Sequence, residues 1–275
     1  MNFKLRILLL IIAAFATLAP VCVLAGGKSR IATDTVVLNQ GALVEVVGEN
    51  AEVRLHRVSS NTLEVEATLN NEEFVDFYTQ SLTSEPVRHY VISATTSTGG
   101  ETSANSIIDI GLPDGVQLVV RTTNRPIVVD SISVVTASLV TTKGEISVTG
   151  SVGNFNINTT ESEVTVQGVN GNVIVVTTNA HVWFEGVVND GTSSISTTNG
   201  DIAARLENGS DVLITAYTRN GDVTVNGGSQ DVTKDGDVAT VAHRIEDGQG
   251  KLNITNGPGA IHINPDTIAV FDGDG

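Results

Sequence analysis

The sequence has one cysteine in 275 residues, Cys22. A disulfide framework and thiol chemistry are thereby excluded from the rest of the chain, and a chain of this length can bury an adequate core without covalent staples. Aromatic residues are scarce at 4%, so the core must be filled by aliphatic side chains. Basic residues are scarce too: 15 Lys and Arg stand against 31 Asp and Glu, a net charge of −16. Such acidity argues against nucleic acid and against direct binding to anionic membranes or polymers, and leaves cations as partners. No GxSxG elbow, no P-loop and no GxGxxG at a strand-to-helix turn occurs. The five histidines (His56, His89, His181, His243 and His262) fall in different registers without a zinc-type spacing.

Long apolar runs are confined to the start. Lys4 and Arg6 precede an apolar run, Ile7 to Ala19, that Pro20 ends, and Val23-Leu24-Ala25 supplies residues a signal peptidase accepts. The run is short of the about 20 residues that a hydrocarbon core requires. Residues 1–25 are therefore expected to be a signal peptide cleaved after Ala25, with export to the periplasm, the cell surface or the medium. Cys22 makes a poor lipid-attachment site, because Val21 stands where a small residue is needed. Loss of Lys4 and Arg6 makes the charge balance still more acidic.

Val, Ile, Thr, Asn and Gly abound, a mix that suits short strands and tight turns, and they recur periodically. Thr-Thr pairs begin at Thr122, Thr141, Thr159, Thr177 and Thr197, and Thr218 holds the matching place in the next unit, at intervals of 18 to 21 residues. A small turn residue follows (Gly144, Ser162, Ala180, Gly200, Gly221), with Arg125 the exception. An alternating strand then places Ile127, Ile146, Val164, Val182, Ile202 and Val223 inward, and two residues later Val129, Val148, Val166, Phe184, Ala204 and Val225. Leu139, Ile157, Val175 and Ile195 precede the threonines at inward parity, and Gly150, Gly168, Gly186 and Gly227 mark a second turn. One such unit cannot bury its apolar face alone, whereas units stacked at about 4.8 Å can. The expectation is an all-β fold, a single β-solenoid or β-helix of stacked two-strand coils over residues 111–265. Its inward threonines are expected to chain hydroxyl hydrogen bonds along the stack. A β-sandwich of regular hairpins is the competing architecture.

Residues 26–110 are β-rich but less regular. Ala42 to Val47, Ala51 to Leu55, Leu63 to Ala67 and Val91 to Ala94 read as strands, and Glu72 to Leu82 as a short helix or an irregular lid. This region is expected to cap the open strand edge of the stack. After Gly228 the register loosens, returning at Leu252 to Gly257 and Ala260 to Ile263; the interval from Thr218 to Thr255 leaves room for one degenerate coil. Residues 266–275 read as a loose acidic tail.

The segment Ile107-Ile108-Asp109-Ile110-Gly111-Leu112-Pro113-Asp114-Gly115 continues through Leu118-Val119-Val120-Arg121-Thr122-Thr123-Asn124, with Thr-Thr-Asn-Gly-Asp-Ile at 197–202. These motifs resemble the bacterial putative-adhesin family of β-strand-repeat proteins, over residues 35–265. The resemblance implies a fold and an adhesin label; the family's function is unknown and it has no agreed catalytic residues to carry over. Arg125-Pro126 and the Arg219-Asn220 insertion depart from the pattern and put those local turns in question.

Two features exceed what folding needs. Glu145, Glu163, His181, Asp201 and Asp222 each follow a turn, so stacking would set them a coil apart on one outward line. Carboxylates so spaced suit a hard cation such as Ca²⁺, which takes about six to eight oxygens, or a carboxylate pair about 5–10 Å apart for glycoside hydrolysis. Equally, Asp after Asn-Gly is ordinary turn chemistry on a solvated face. Trp183 has outward parity two residues from His181; it could stack on a sugar ring, or pack over a neighbouring turn or a partner subunit. Asp235-Gly236-Asp237 and Asp272-Gly273-Asp274 lack the frame and closing Glu of a calcium loop. Asn158, Asn208 and Asn253 begin Asn-x-Ser/Thr triplets.

The function expected is non-enzymatic: an exported envelope or secreted β-repeat scaffold, adhesin-like, that contacts a cell-surface protein or glycan. No resident cofactor, no nucleic-acid partner and no transmembrane helix in the mature chain are expected. The alternatives are a pectinase-like, carbohydrate-active β-helix using a pair from the acidic line with Trp183 as platform, and a Ca²⁺-binding envelope protein.

Overall fold

Alternation of β-branched aliphatic residues with small polar ones, broken at glycine and Asx turns, is realised as strand throughout. The computed structural model describes residues 29–72, 75–83, 87–96, 105–188, 190–226 and 231–264, and among them there are 22 strands and no α-helix. The first group is β1 (Ser29–Gly48), β2 (Ala51–Arg57), β3 (Thr62–Asn70), β4 (Val75–Ser81), β5 (Val87–Thr96) and β6 (Asn105–Leu112). The repeats follow as β7 (Val116–Thr122), β8 (Ile127–Asp130), β9 (Ser133–Val140), β10 (Ile146–Thr149), β11 (Val152–Asn158) and β12 (Val164–Asn170). They continue as β13 (Val173–Asn179), β14 (Val182–Val187), β15 (Thr192–Asn199), β16 (Ile202–Leu206), β17 (Val212–Arg219) and β18 (Val223–Val225). Last come β19 (Asp231–Asp235), β20 (Val238–Ile245), β21 (Gly250–Asn256) and β22 (Ile261–Ile263). All join one hydrogen-bonded sheet of mixed parallel and antiparallel pairing. No helix among the described residues is long and apolar enough to cross a membrane. The expected signal peptide and acidic tail, Gly227 and Asp272 to Asp274 lie outside the described residues.

From β7 onward, consecutive strands alternate between two parallel ladders. The long ladder stacks β7, β9, β11, β13 and β15, with Val120, Leu139, Ile157, Val175 and Ile195 in one inward column. The short ladder stacks β8, β10, β12, β14 and β16, with Ile127, Ile146, Val164, Val182 and Ile202 in one column and Val129, Val148, Val166, Phe184 and Ala204 in the next. All are buried, and the inner faces of both ladders form one hydrophobic cluster. Burying each Val or Ile contributes about 1.5–3 kcal/mol, more than the about 0.5–1 kcal/mol of side-chain entropy lost. Stacking like on like is therefore favourable at every level.

After β16, chain order and spatial order part. The next neighbour of β15 is β21, not β17: Ile195 pairs with Ile254, and Ile254 with Ala216. In the same way β22 separates β16 from β18, so the order is Ile202, Ile261, Val223. Beyond β17 lies an antiparallel neighbour, β20, and then β19. The interval from Thr218 to Thr255 is thus not a degenerate coil. It holds a hairpin that covers the open edge of β17, after which the chain returns and inserts a level behind itself. Asp235 and Val238 pair across a two-residue turn with Gly236 at φ 59°, so Asp235-Gly236-Asp237 is hairpin chemistry.

At the other end β1 serves both ladders. Its Leu43–Gly48 half pairs parallel with β5 and β7, while Ser29–Val37 pairs antiparallel with β3. Between the halves Gly41 takes φ 73° and the register with β5 shifts. β2 lies parallel to β6 and β8, which extends the inner columns: Val53 sits beside Ile127 and Leu55 beside Val129. Within the stretch Glu72 to Leu82, expected to be a short helix or an irregular lid, Val75–Ser81 is instead strand β4, antiparallel to β5. Val75 and Phe77 pack on the core while Asp76 and Tyr78 face solvent, a period of two that the free edge of β5 completes. The hydroxyls of Tyr90 and Thr79 (2.6 Å for the latter) both donate to the Asp34 carboxylate, tying β1, β4 and β5 together. Burial first, then that carboxylate, pushes the Tyr90 hydroxyl well above its ordinary pKa.

The repeated threonines are buried as expected, but they do not bond to one another. Thr122 donates to the Arg125 carbonyl (3.0 Å), Thr197 to the carbonyls of Ala180 (3.1 Å) and Asn199 (3.0 Å), and Thr218 to those of Gly257 and Gly259 (2.8 Å each). Hydroxyls one strand spacing apart, about 4.8 Å, are out of mutual reach. At these three levels a turn carbonyl accepts instead, while the hydroxyls of Thr159 and Thr177 are buried without a hydrogen-bond partner among the described residues. Asn256 fills the column between Thr197 and Thr218 and donates to Gly200 (2.8 Å) and Ala260 (3.2 Å). The turns beside this column stack tightly: a Cβ on Gly144 would lie 1.9 Å from the Arg125 oxygen. One on Gly200, at φ 128°, would lie 2.3 Å from that of Ala180.

Candidate functional site

The acidic line is built by the turn row. The N–H groups of Ile127, Ile146, Val164 and Val182 donate to the carbonyls of Glu145, Glu163, His181 and Asp201 at 2.9 to 3.1 Å, so these four residues do follow one another level by level. The line then breaks. Ile202 donates to Ala260 (2.9 Å) and Ile261 to Asp222 (2.8 Å), which places Ala260 between Asp201 and Asp222. The inserted return coil is the cause, and adjacent positions in the repeat are not adjacent in space here.

The side chains of the line also have separate tasks. The His181 Nδ1 accepts the backbone N–H of Asp201 (2.9 Å), and the Asp201 carboxylate accepts the N–H of Ala260 (2.7 Å). Asp222 forms an ion pair with Lys234 of the cap hairpin. The hydrogen bond and charge of that ammonium hold the Asp222 carboxyl below the usual carboxylate range. Glu145 and Glu163 are exposed, and Lys143 pairs with Glu161 (3.5 Å) beside them. Among the described residues no group of three His, Cys, Asp or Glu is placed to hold a metal ion.

Trp183 keeps its outward parity, between Thr165 and Ala203 of the neighbouring strands, yet it is only 3% exposed. The expectation of an exposed platform is corrected: a ring so covered offers no face to an incoming sugar. Strand parity fixes the direction of a side chain but not what lies over it. Its indole N–H is buried without a hydrogen-bond acceptor among the described residues.

Two concavities lie on the outer face of the long ladder. One, of about 300 Å³, is bordered by Gln117, Thr136, Asn154, Asn156 and Ile174. The other, of about 540 Å³, lies between Thr215, Tyr217, Asn253 and Thr255 and the cap residues Thr233 and Thr240. Strand register joins them through two outward columns. Ser138, Asn156, Ile174, Ser194, Asn253 and Thr215 make the first. Val140, Asn158, Val176, Ser196, Thr255 and Tyr217 make the second. Across six strands neither column carries a charge. Thr215 donates to Asn253 (2.7 Å) within the first column and Asn158 to Asn156 (3.0 Å) between the two, and beside them Asn172 donates to Asn154 (3.1 Å) and Asn154 to the Val135 carbonyl (3.1 Å). A third depression, of about 390 Å³, lies on the outer face of β3, β6 and β2, where His56 meets Asp109 (2.9 Å) beside Glu64 and Glu66.

No protein-family model matches the chain, and no curated protein does. Solved structures are similar to it. One is a putative adhesin from Bacteroides fragilis NCTC 9343, at 6% identity and a TM-score of 0.41, covering 85% of this chain and 96% of that one. A second is a putative cell adhesion protein from Clostridium sporogenes ATCC 15579, at 11% identity and a TM-score of 0.33, covering 85% and 98%. A third is a putative adhesin from Parabacteroides merdae ATCC 43184, at 9% identity and a TM-score of 0.30, covering 85% and 95%. Their descriptions bear the adhesin name that the motifs of residues 107–124 resemble.

Of the residues singled out in the sequence, the turn row brings together Glu145, Glu163, His181 and Asp201, and it does not bring Asp222 or Trp183 to them as accessible neighbours. The uncharged outer columns are no part of the repeat pattern read along the sequence. Their signal lies in the complement of the inward pattern: Ser, Thr, Asn, Val or Ile at each alternate position of the strand that leads into the threonine.

Proposed function

We propose that the chain is an exported, non-enzymatic β-solenoid that serves at the cell envelope as an adhesin-like scaffold and binds a partner along its repetitive surface. One observation carries this reading: successive levels of the two parallel ladders repeat in register, so an outer face is continued over many strands. Repetition of that kind builds extended contact surfaces, whereas catalysis needs unlike groups converging on one reacting atom. Support for export comes from Lys4, Arg6 and the apolar run to Ala19. Glu145 and Glu163 at successive levels keep a polysaccharide-cleaving reading in play as the second choice.

Fractionation of cells expressing the full chain, combined with an attachment assay, tests the proposal. The expected result is a shortened chain outside the cytoplasm that attaches to cells or extracellular polymer, unchanged by Glu163→Ala and Asp201→Ala. A full-length chain confined to the cytoplasm would oppose it. Release of reducing sugar from pectin, abolished by those two substitutions, would move the assignment to the hydrolase. Calorimetric titration with CaCl₂ is expected to give no heat and no gain in melting temperature; a response to both would reinstate a cation site.

A further inference from the structure

We infer that the outer face of the long ladder is the binding surface, and that its ligand is a neutral polysaccharide. The inference rests on the proposed scaffold role and assigns that role a face and a ligand class. The chain carries a net charge of −16, yet the two outward columns from β9 to β17 hold none of it. An anionic polymer is repelled by the molecule as a whole. A polycation would be drawn to the turn row, where Glu145, Glu161 and Glu163 cluster, and not to this face.

An apolar partner is excluded by a different observation. Ile174 and Val176 are 42% and 46% exposed, but their neighbours in the same columns are Asn156 and Asn158 on one side and Ser194 and Ser196 on the other. The apolar pair on β13 is therefore bounded by polar side chains on both neighbouring strands, and the patch stays small. Amides and hydroxyls both donate and accept, which matches a ligand made of uncharged hydroxyls. The exposed aliphatic side chains, with the Tyr217 ring at the far end, offer contact to the C–H faces of sugar rings. Six strands at about 4.8 Å give a track of about 24 Å between the outermost strands, with a depression toward each end. An extended chain of several sugars fits such a track, while a small molecule would leave most of it uncovered. The side chains stand on strands whose backbone is already ordered, so little further entropy is lost on binding. The outer face of the short ladder has no such track, since Asp130, Glu185 and Arg205 lie along it and the last two pair at 3.7 Å.

Affinity electrophoresis of the full chain tests this, with galactomannan, xyloglucan and dextran as neutral polymers and polygalacturonate and alginate as anionic ones. Retardation by at least one neutral polymer and by neither anionic one is expected. The double substitution Asn156→Glu, Ser196→Glu should weaken that binding at least tenfold, and Thr149→Glu on the outer face of the short ladder should leave it unchanged. Asn253→Asp, nearly isosteric and thus safe for folding, should weaken it several-fold. The inference is overturned if no neutral polymer binds, if polygalacturonate binds, or if the charged variants bind as the native chain does. It is also overturned if sedimentation shows a dimer that the double substitution abolishes, for the face would then belong to a second copy. Attachment in the assay above that persists without neutral-polymer binding removes this inference and leaves the scaffold role standing; loss of export and attachment removes the scaffold role itself.

Discussion

The two ladders share one core and face the solvent differently. Inside, both present aliphatic columns in strict register, Leu139 above Ile157 in one and Ile146 above Val164 in the other. Outside, the two long-ladder columns from β9 to β17 show Asn, Ser, Thr, Val, Ile and Tyr without charge, flanked by Arg121 of β7 and Lys251 of β21, while the short ladder carries Asp130, Glu185, Arg205 and the covered Trp183. Packing density dictates the inner columns, because a cavity or an overpacked level is costly. No such rule governs the outer positions, so a consistent pattern there is not a by-product of folding. The contrast therefore separates what the stack requires from what the molecule uses.

The largest effects should come from breaking what the ladders share. Phe155→Ala in the long ladder and Phe184→Ala in the short one should each cost about 3–5 kcal/mol, a fall in melting temperature of about 2–4 °C per kcal/mol. Thermal melts that find only one of them costly would mean the ladders do not share a core.

Trp183 and Ile174 sharpen the contrast between outer faces, for both have outward parity. Trp183→Ala should cost about 3 kcal/mol, as for a buried ring, and Ile174→Ala should stay within about 0.5 kcal/mol. Equal values in denaturant unfolding would contradict the difference in cover. Next come the turns. Gly200→Ala, which meets the Ala180 carbonyl, should cost about 2 kcal/mol or more. Gly236→Ala in the cap hairpin meets nothing within 4 Å and should cost only the about 1 kcal/mol of a left-handed backbone.

The smallest effect belongs to Asp222. Lys234 lowers its folded pKa, so the pair stabilises fully above the unfolded value of about 3.9 and is lost as pH falls through the lower folded value. The difference in melting temperature between the native chain and Asp222→Asn should be slight at neutral pH, smaller in high salt, and should shrink as pH falls below the unfolded value and the carboxyl takes up its proton. A difference that grows on acidification would contradict the pairing.

Much of this architecture is legible without coordinates, and particular residues show where legibility ends. Ile127, Ile146 and Val164 announce their column because each must stack on the next at a fixed interval, and a fixed interval is what a repeat records. Phe77 and Tyr78 read as helical or irregular in the sequence because a short alternating segment does not reveal the strand edge that pairs with it. The uncharged outer columns are not legible in the sequence because they are defined by what their side chains lack, and only register assembles Asn156, Ile174 and Ser194 into one row.

The sequence by itself determined the all-β class, the inward columns and the need for small turn residues, because each follows from local alternation and a constant period. Tertiary structure alone decided that β21 and β22 enter between earlier levels, that Ala260 interrupts the acidic line, and that Trp183 is covered. Those outcomes depend on which edge a returning strand finds free. Hydrogen bonds between strands are non-local, and nothing in the spacing of residues along the chain specifies which strand will lie beside which once that order departs from the order of synthesis.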